Sequence, residues 1–394
     1  MATITQSHST TISETVDQNS FWLRNKRWDM LFLTCSVIVT PLPYFLYLIG
    51  RDWFGIDDDL SRNLVNGFVA IAIGGPHMMS TFLRTGLDNS FRKNYPMLIR
   101  SSILIPIVVI SLAFLNLELL LTVFFAWAAL HVLHQVTYIA ELYNYKEHTY
   151  VRKNSRMNPM SRLIDYALIL TCLFPVAAYK VWHGTFQIGT NDLGRVIPEF
   201  FEQRWFFVTL SAIFIISLLA YIWKTCQEWR TNRLNMPKTA FIVITVIVAF
   251  FTPFLPNLDT AFQGLNTWHS FQYLAITFYI IKIKQQYGDL RDSAPLVAKF
   301  SAQTKDSKGL YALSTALLVG SVVIFMLVYF LAGIVRPDMS ANQHFDTAYY
   351  TSILAFLWIH YFHDHFLFTD FETLDDAYHH AGVAAGIKHK HRLL

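Results

Sequence analysis

The sequence predicts an all-α, polytopic membrane bundle of about ten transmembrane helices. Of its 394 residues, 54% are hydrophobic and only 15% are charged, against roughly 25% charged in an average soluble protein. The apolar residues sit in long blocks, and crossing a hydrocarbon core of about 30 Å takes roughly 20 helical residues. Lys and Arg crowd into alternate connections between those blocks. Together these observations exclude a soluble enzyme, a disordered chain and a disulfide scaffold.

Stretches of spanning length fall near 29–50, 64–84, 98–116, 118–145, 163–182, 205–223, 238–256, 260–281, 310–335 and 347–369. Helices are expected throughout, because lipid cannot satisfy free backbone groups and no alternating barrel pattern is present. Pro76, Pro106, Pro175 and Pro253 are expected to kink their helices. The short connections at Asn116–Glu118 and Pro256–Asp259 predict antiparallel hairpins. With both termini cytoplasmic, 25 of the 31 Lys and Arg lie on the inner side. Only Arg51, Arg62, Lys180, Arg195, Arg204 and Arg336 are left outside. That asymmetry predicts an integral membrane protein, of an inner or plasma membrane, with an inward-facing N-terminus.

Residues 1–27 read as a disordered cytoplasmic tail, 28–370 as one membrane domain and 371–394 as a second cytoplasmic tail. The first twenty residues are rich in Ser and Thr. No small-residue cleavage site follows the basic cluster, so a secretory signal is not expected. Cys35, Cys172 and Cys226 are far apart, with no CxxC spacing. There is no GxGxxG, P-loop or nucleophile elbow. The basic loops are accounted for by topology, so nucleic acid is not an expected partner.

The chemistry concentrates in histidine. Seven of the 15 fall inside predicted spans: His77, His131, His134, His269, His360, His363 and His365. Ionisable residues within a bilayer are costly and tend to face the bundle interior. These seven occur only on the second, fourth, eighth and tenth helices, which all run the same way. They lie about 5 to 15 residues from the cytoplasmic ends, a layer roughly 7 to 22 Å deep.

His131-x-x-His134 and His360-x-x-His363 are i, i+3 pairs that share a helix face. With His77 and His269 they form a set of six candidate ligands for one or two metal ions. A nitrogen-rich set suits iron, copper, zinc or nickel rather than magnesium or calcium. His365 points about 200° away from His363 and is expected to support the ligands rather than join them. Ligating histidines usually donate their other N–H to a carboxylate or carbonyl. Gln135, Tyr138, Asn266 and Gln272 are candidates for such support. Asp364, at i+4 from His360, and Glu141 are expected to orient ligands or relay protons. Gly74-Gly75-Pro76-His77 adds close helix approach and freed carbonyls beside one ligand. His8, His148, His183 and His344 read as solvated, as do His379, His380, His389 and His391 in the C-terminal tail.

Three function classes fit such a layer: oxidation of a lipophilic substrate with O₂, metal or proton transport, and haem ligation. Transport predicts polar residues continuing to both faces, yet the outer halves of these helices are mostly apolar and aromatic. A haem takes one or two axial histidines, fewer than are present. Non-haem iron oxygenation is therefore the expectation, with an electron donor as a further possible partner. The 33 Phe, 19 Tyr and 10 Trp are available to wall an apolar pocket.

The Gly74-Gly75-Pro76-His77 run and the later intramembrane histidines resemble the Brp/Blh-like β-carotene 15,15′-dioxygenase family. Met78 stands where that family has glycine, and the two HxxH pairs are additional. The resemblance implies iron-dependent oxidative cleavage of a polyene, with His77, His269 and His360 or His363 as ligands. More distantly, the His-rich layer is similar to membrane diiron desaturases and hydroxylases, whose HxxHH boxes are absent here. A metal or haem-binding transporter is the remaining alternative.

Overall fold

A computed structural model describes residues 17–152, 155–188, 191–256 and 258–369. Its long helices are numbered here α1 (Lys26–Trp53), α2 (58–84), α3 (Pro96–Leu115), α4 (Leu117–Val151), α5 (Pro159–Trp182), α6 (Arg204–Arg230), α7 (Met236–Phe254), α8 (Leu258–Tyr287), α9 (Lys308–Val335) and α10 (Ala341–Thr369). Among the described residues the only β element pairs Gln187–Ile188 with Asn191–Asp192, antiparallel, between α5 and α6.

Seven of these helices are long and apolar enough to cross a membrane: α1, α3, α4, α5, α6, α7 and α9. The expected ten therefore narrows to seven on length and apolarity. The three that fall short, α2, α8 and α10, bear His77, His269 and His360. Their polar content has a physical source, since one side of each faces a shared polar centre.

The packing explains the composition. α2 packs against α8 and α10, and α4 packs against the same two, so the four close a ring in the order α2, α8, α4, α10. The other helices surround this ring. α1 covers α8, α3 and α9 cover α10, and α5 and α7 cover α4, with α6 outside α5. On the outermost helices large apolar side chains point away from the protein, among them Leu104, Ile216, Met326 and Phe330. Such a belt is a liability in water and is what a hydrocarbon environment requires.

Proline shapes three of the helices as the sequence predicts. A π-helical turn, Ala70–Gly74, precedes Pro76 in α2. Proline donates no N–H and its ring crowds the carbonyl four residues back, which the wider turn relieves. α5 breaks at Cys172–Leu173 just before Pro175, and α7 tightens to a 3₁₀ turn at Pro253. Pro106 differs, lying inside an unbroken α3.

Residues 17–27, within the expected N-terminal tail, are structured. Residues Gln18–Phe21 form a 3₁₀ turn, and Phe21 and Leu23 are buried. Asp29 anchors the approach, accepting hydrogen bonds from the backbone N–H groups of Leu23 and Arg24 and from the Tyr143 hydroxyl. The expected tails at 1–16 and 371–394 lie outside the described residues.

Candidate metal centre

Each helix of the inner ring contributes one imidazole to a common point: His77 from α2, His131 from α4, His269 from α8 and His360 from α10. All four residues are buried, and one ring nitrogen from each lies within 4.8 Å of the others. Neighbours around the helix ring are neighbours around the site. His77 is 4.8 Å from His269 and 4.3 Å from His360, centroid to centroid, and His131 is 4.8 Å and 4.9 Å from the same two. Adjacent rings meet edge to face, at 70° to 86°.

The donor atoms are unsatisfied by protein. At least one buried nitrogen on each of the four rings has no hydrogen-bond partner. Four such orphans in one spot would carry a desolvation penalty of about 1–3 kcal/mol each if nothing bound them. A cation removes that penalty at once. Four nitrogens within 4.8 Å of one another can close on one ion at metal–imidazole bonds of about 2.0–2.1 Å. The site fits one ion held by neutral imidazoles.

A second polar layer sits one turn further along every one of these helices, at i+4 from each ligand. Thr81 follows His77, Gln135 follows His131, Tyr273 follows His269 and Asp364 follows His360. Asp364 Oδ1 accepts hydrogen bonds from Thr81 Oγ1 at 3.0 Å and the Tyr273 hydroxyl at 2.7 Å. Its other oxygen, Oδ2, stands 3.4 Å from His360 Nδ1 and 3.9 Å from His131 Nε2. Thr81 Oγ1 is also 2.5 Å from His360 Nδ1. Thr81 Oγ1 also meets the Tyr273 hydroxyl at 2.8 Å; with the Thr81 proton directed at Asp364, the partner that satisfies it at His360 is the tautomer protonated on Nδ1. That tautomer leaves the lone pair of Nε2 free, and Nε2 is the buried atom without a partner.

Gln135 works on the opposite side of the ring. Its Nε2 donates to the His269 backbone carbonyl at 3.1 Å and to Gln272 Oε1 at 3.3 Å, and Gln272 donates in turn to the Leu33 carbonyl of α1. The position of His269 is thereby tied to α4 and α1. Asn266 accepts from Ser270 and donates to Gln263 along α8. Tyr361 stacks on His131 at 4.1 Å, while Phe368 lies 5.9 Å from His131 and 4.8 Å from Tyr138.

The remaining candidates are placed elsewhere. His363 points toward α3, with Nδ1 3.2 Å from Thr85 Oγ1 and Nε2 2.9 Å from the Leu98 carbonyl and 3.2 Å from Ser102 Oγ. Both its nitrogens are engaged, so it braces α10 against α3 rather than joining the four. His134 is half-buried and lies beside exposed His365, 5.3 Å away, and Phe368. Residues at i+3 sit about 60° apart around a helix. The centre is narrow enough to admit one imidazole of each pair. Glu141, two turns beyond His134, accepts from Arg162 Nε at 2.7 Å and from Asn144 Nδ2 at 3.1 Å. It belongs to an ion pair near the end of α4, about 15 Å along the helix from His131.

Thr81 and Tyr273 carry part of the site and were not anticipated from sequence. The signal was available, since each stands at the same i+4 spacing from a ligand as Asp364.

A cavity of about 320 Å³ opens between α2, α4, α8, α9 and α10. Gly74, Gly75, Met78, Asn266 and Leu357 in its wall all lie within three residues of a ligating histidine. It is chiefly apolar, with Phe124, Phe125, Phe262 and Phe325 in its lining. At its far end it shares Asn63 and Phe345 with a polar recess that includes Arg62 and Asp346.

These features define the chain as an all-helical bundle, with helices fit to cross a membrane, built around a buried four-imidazole site that can hold a metal ion. It matches no protein-family model, no curated protein and no solved structure.

Proposed function

We propose that the protein is a membrane-embedded, histidine-ligated iron oxygenase acting on a hydrophobic lipid or polyene, carotenoid-like substrate. The observation that carries this reading is the convergence of four buried, unpartnered imidazole donors beside an apolar cavity. An all-nitrogen set suits iron, as it does copper, zinc or nickel, and four protein ligands would leave positions open on a six-coordinate ion. The spacing argues against haem, whose macrocycle would occupy the directions from which these four rings approach. The resemblance of Gly74-Gly75-Pro76-His77 to the β-carotene dioxygenase family supports the same reading; it implies His77, His269 and His360 or His363 as ligands, and of the last two His360 belongs to the group of four.

Bound iron would supply activation of O₂ next to the substrate. The protein's own residues do the rest. His77, His131, His269 and His360 would hold the ion where the four helices meet. Thr81 and Asp364 hold the Nδ1 proton of His360 and so keep its Nε2 directed at the metal. Tyr273 shares the Asp364 carboxylate and can hold or pass a proton at Oδ1. Phe124, Phe125 and Phe262 shape the apolar chamber and exclude water from it. Crossing of the bilayer by α2, α8 and α10 as well, with both termini cytoplasmic, completes the reading.

Elemental analysis and an optical spectrum of the detergent-purified protein test it. One iron per chain without a Soret band, together with oxygen-dependent loss of an added polyene's absorbance, is the expected result. A Soret band, or stoichiometric zinc with no oxygen consumption, overturns it.

A further inference from the structure

A second cavity, of about 560 Å³, lies on the other side of α8, between α1 and the start of α9. One end of it is cationic, with Arg24, Lys282 and Lys305 in its lining against a single carboxylate, Asp306. The rest is an aromatic ladder formed by two helices. Tyr279 lies 5.2 Å from Trp28, Trp28 lies 5.5 Å from Phe32, and Phe32 stacks on Phe271 at 5.4 Å. Arg24 caps this ladder, its guanidinium 4.9 Å from the Tyr279 ring and 5.8 Å from Trp28.

The charges at the cationic end are only partly used. Lys282 donates to the Ser301 and Thr304 carbonyls, and Asp306 is taken by Lys308 at 3.2 Å. Among the described residues, no carboxylate lies within ion-pair distance of Arg24 or Lys305. Both cations immediately precede helices long and apolar enough to cross a membrane, α1 and α9. Two separate chain segments thus bring unneutralised cations to the depth of lipid headgroups, above an apolar slot that runs toward the bilayer interior.

We infer that this groove binds one anionic phospholipid of the surrounding bilayer, its phosphate between Arg24 and Lys305 and an acyl chain along Trp28, Phe32 and Phe271. From Tyr279 to Phe271 the slot follows α8 for eight residues, about 12 Å, long enough for the upper half of an acyl chain. The inference needs α1 and α9 to sit in a membrane and is independent of the metal site.

The test is native mass spectrometry of protein released from nanodiscs made of equal parts phosphatidylglycerol and phosphatidylcholine. The wild-type protein should retain one phosphatidylglycerol in preference to phosphatidylcholine. Arg24→Gln combined with Lys305→Gln should lower that retention at least ten-fold. Ala275→Trp, which fills the slot and leaves the charges in place, should do the same. All variants should keep wild-type metal content and elution volume. Equal retention of the two lipids by the wild type overturns the inference, and so does unchanged phosphatidylglycerol retention in a variant that folds. Displacement of the bound lipid by millimolar inorganic phosphate alone would also overturn it, because a site for free phosphate needs no acyl chain.

Discussion

Thr81 Oγ1 and His360 Nδ1 lie 2.5 Å apart although 279 residues separate them in the chain. Their contact joins α2 to α10 at the level where both helices supply an imidazole. It also engages Nδ1 of His360 and leaves Nε2 as the nitrogen without a partner. Replacing Thr81 by Val keeps the shape and removes this relay. Loss of a partner that orients a ligand typically costs 10–100-fold in metal affinity or activity. Metal titration of Thr81→Val and Asp364→Asn should show a loss of that size, with wild-type elution in detergent. An unchanged affinity in both would mean that the i+4 layer is only structural.

Single histidine replacements should divide into two groups. His77→Ala, His131→Ala, His269→Ala and His360→Ala should each lower bound metal at least ten-fold, measured by elemental analysis of purified protein. His134→Ala and His363→Ala should keep most of it, because these rings lie outside the group of four. Truncating His363 should instead lower stability, since both its nitrogens tie α10 to Thr85 and to α3.

Gly75 is required by close approach. A Cβ there would lie 2.4 Å from the Ala70 carbonyl oxygen and 2.5 Å from Leu318 Cδ2. Gly75→Ala should therefore destabilise by about 1–3 kcal/mol, the usual range for overpacking. A thermal melt in detergent reads this as a lowered midpoint. Gly67→Ala is the control, because a Cβ at Gly67 meets nothing within 4 Å. It should be neutral or gain up to about 1 kcal/mol from helix propensity.

Asp165 holds α5, α6 and α7 together from a buried position. It accepts from Lys224 and, at 3.1 Å, from Lys238, whose Nζ also reaches Asn144 Oδ1 of α4 at 2.8 Å. Asp165→Ala leaves the buried Lys238 ammonium without a carboxylate and Lys224 with only Glu228 at 3.7 Å, a loss of about 3–5 kcal/mol. The same melt should show it as the largest drop among these variants. A midpoint within two degrees of wild type would mean that water reaches both lysines.

Much of this architecture was legible in the chain. The apolar blocks announce the helices, and the structure places long helices over each of them with ends displaced by a few residues. α6, for example, continues through Lys224 to Arg230 because polar residues can prolong a helix beyond its apolar stretch. The four histidine-bearing helices were legible too, since imidazoles confined to alternate spans at similar depth point to a shared interior. α2, α8 and α10 fall short on apolarity because they spend their polar residues on the centre.

The sequence by itself determined a helical, membrane-type chain and the four helices that carry imidazoles. Those properties depend on periodicity and composition, which are local. Only the tertiary structure decided which member of each HxxH pair enters the centre, that Glu141 pairs with Arg162 instead, and that Thr81, Tyr273 and Asp364 meet. Two side chains about 60° apart on one helix are equivalent until neighbours occupy one side. The order α2, α8, α4, α10 around the ring supplies those neighbours, and it arises from contacts between residues hundreds of positions apart.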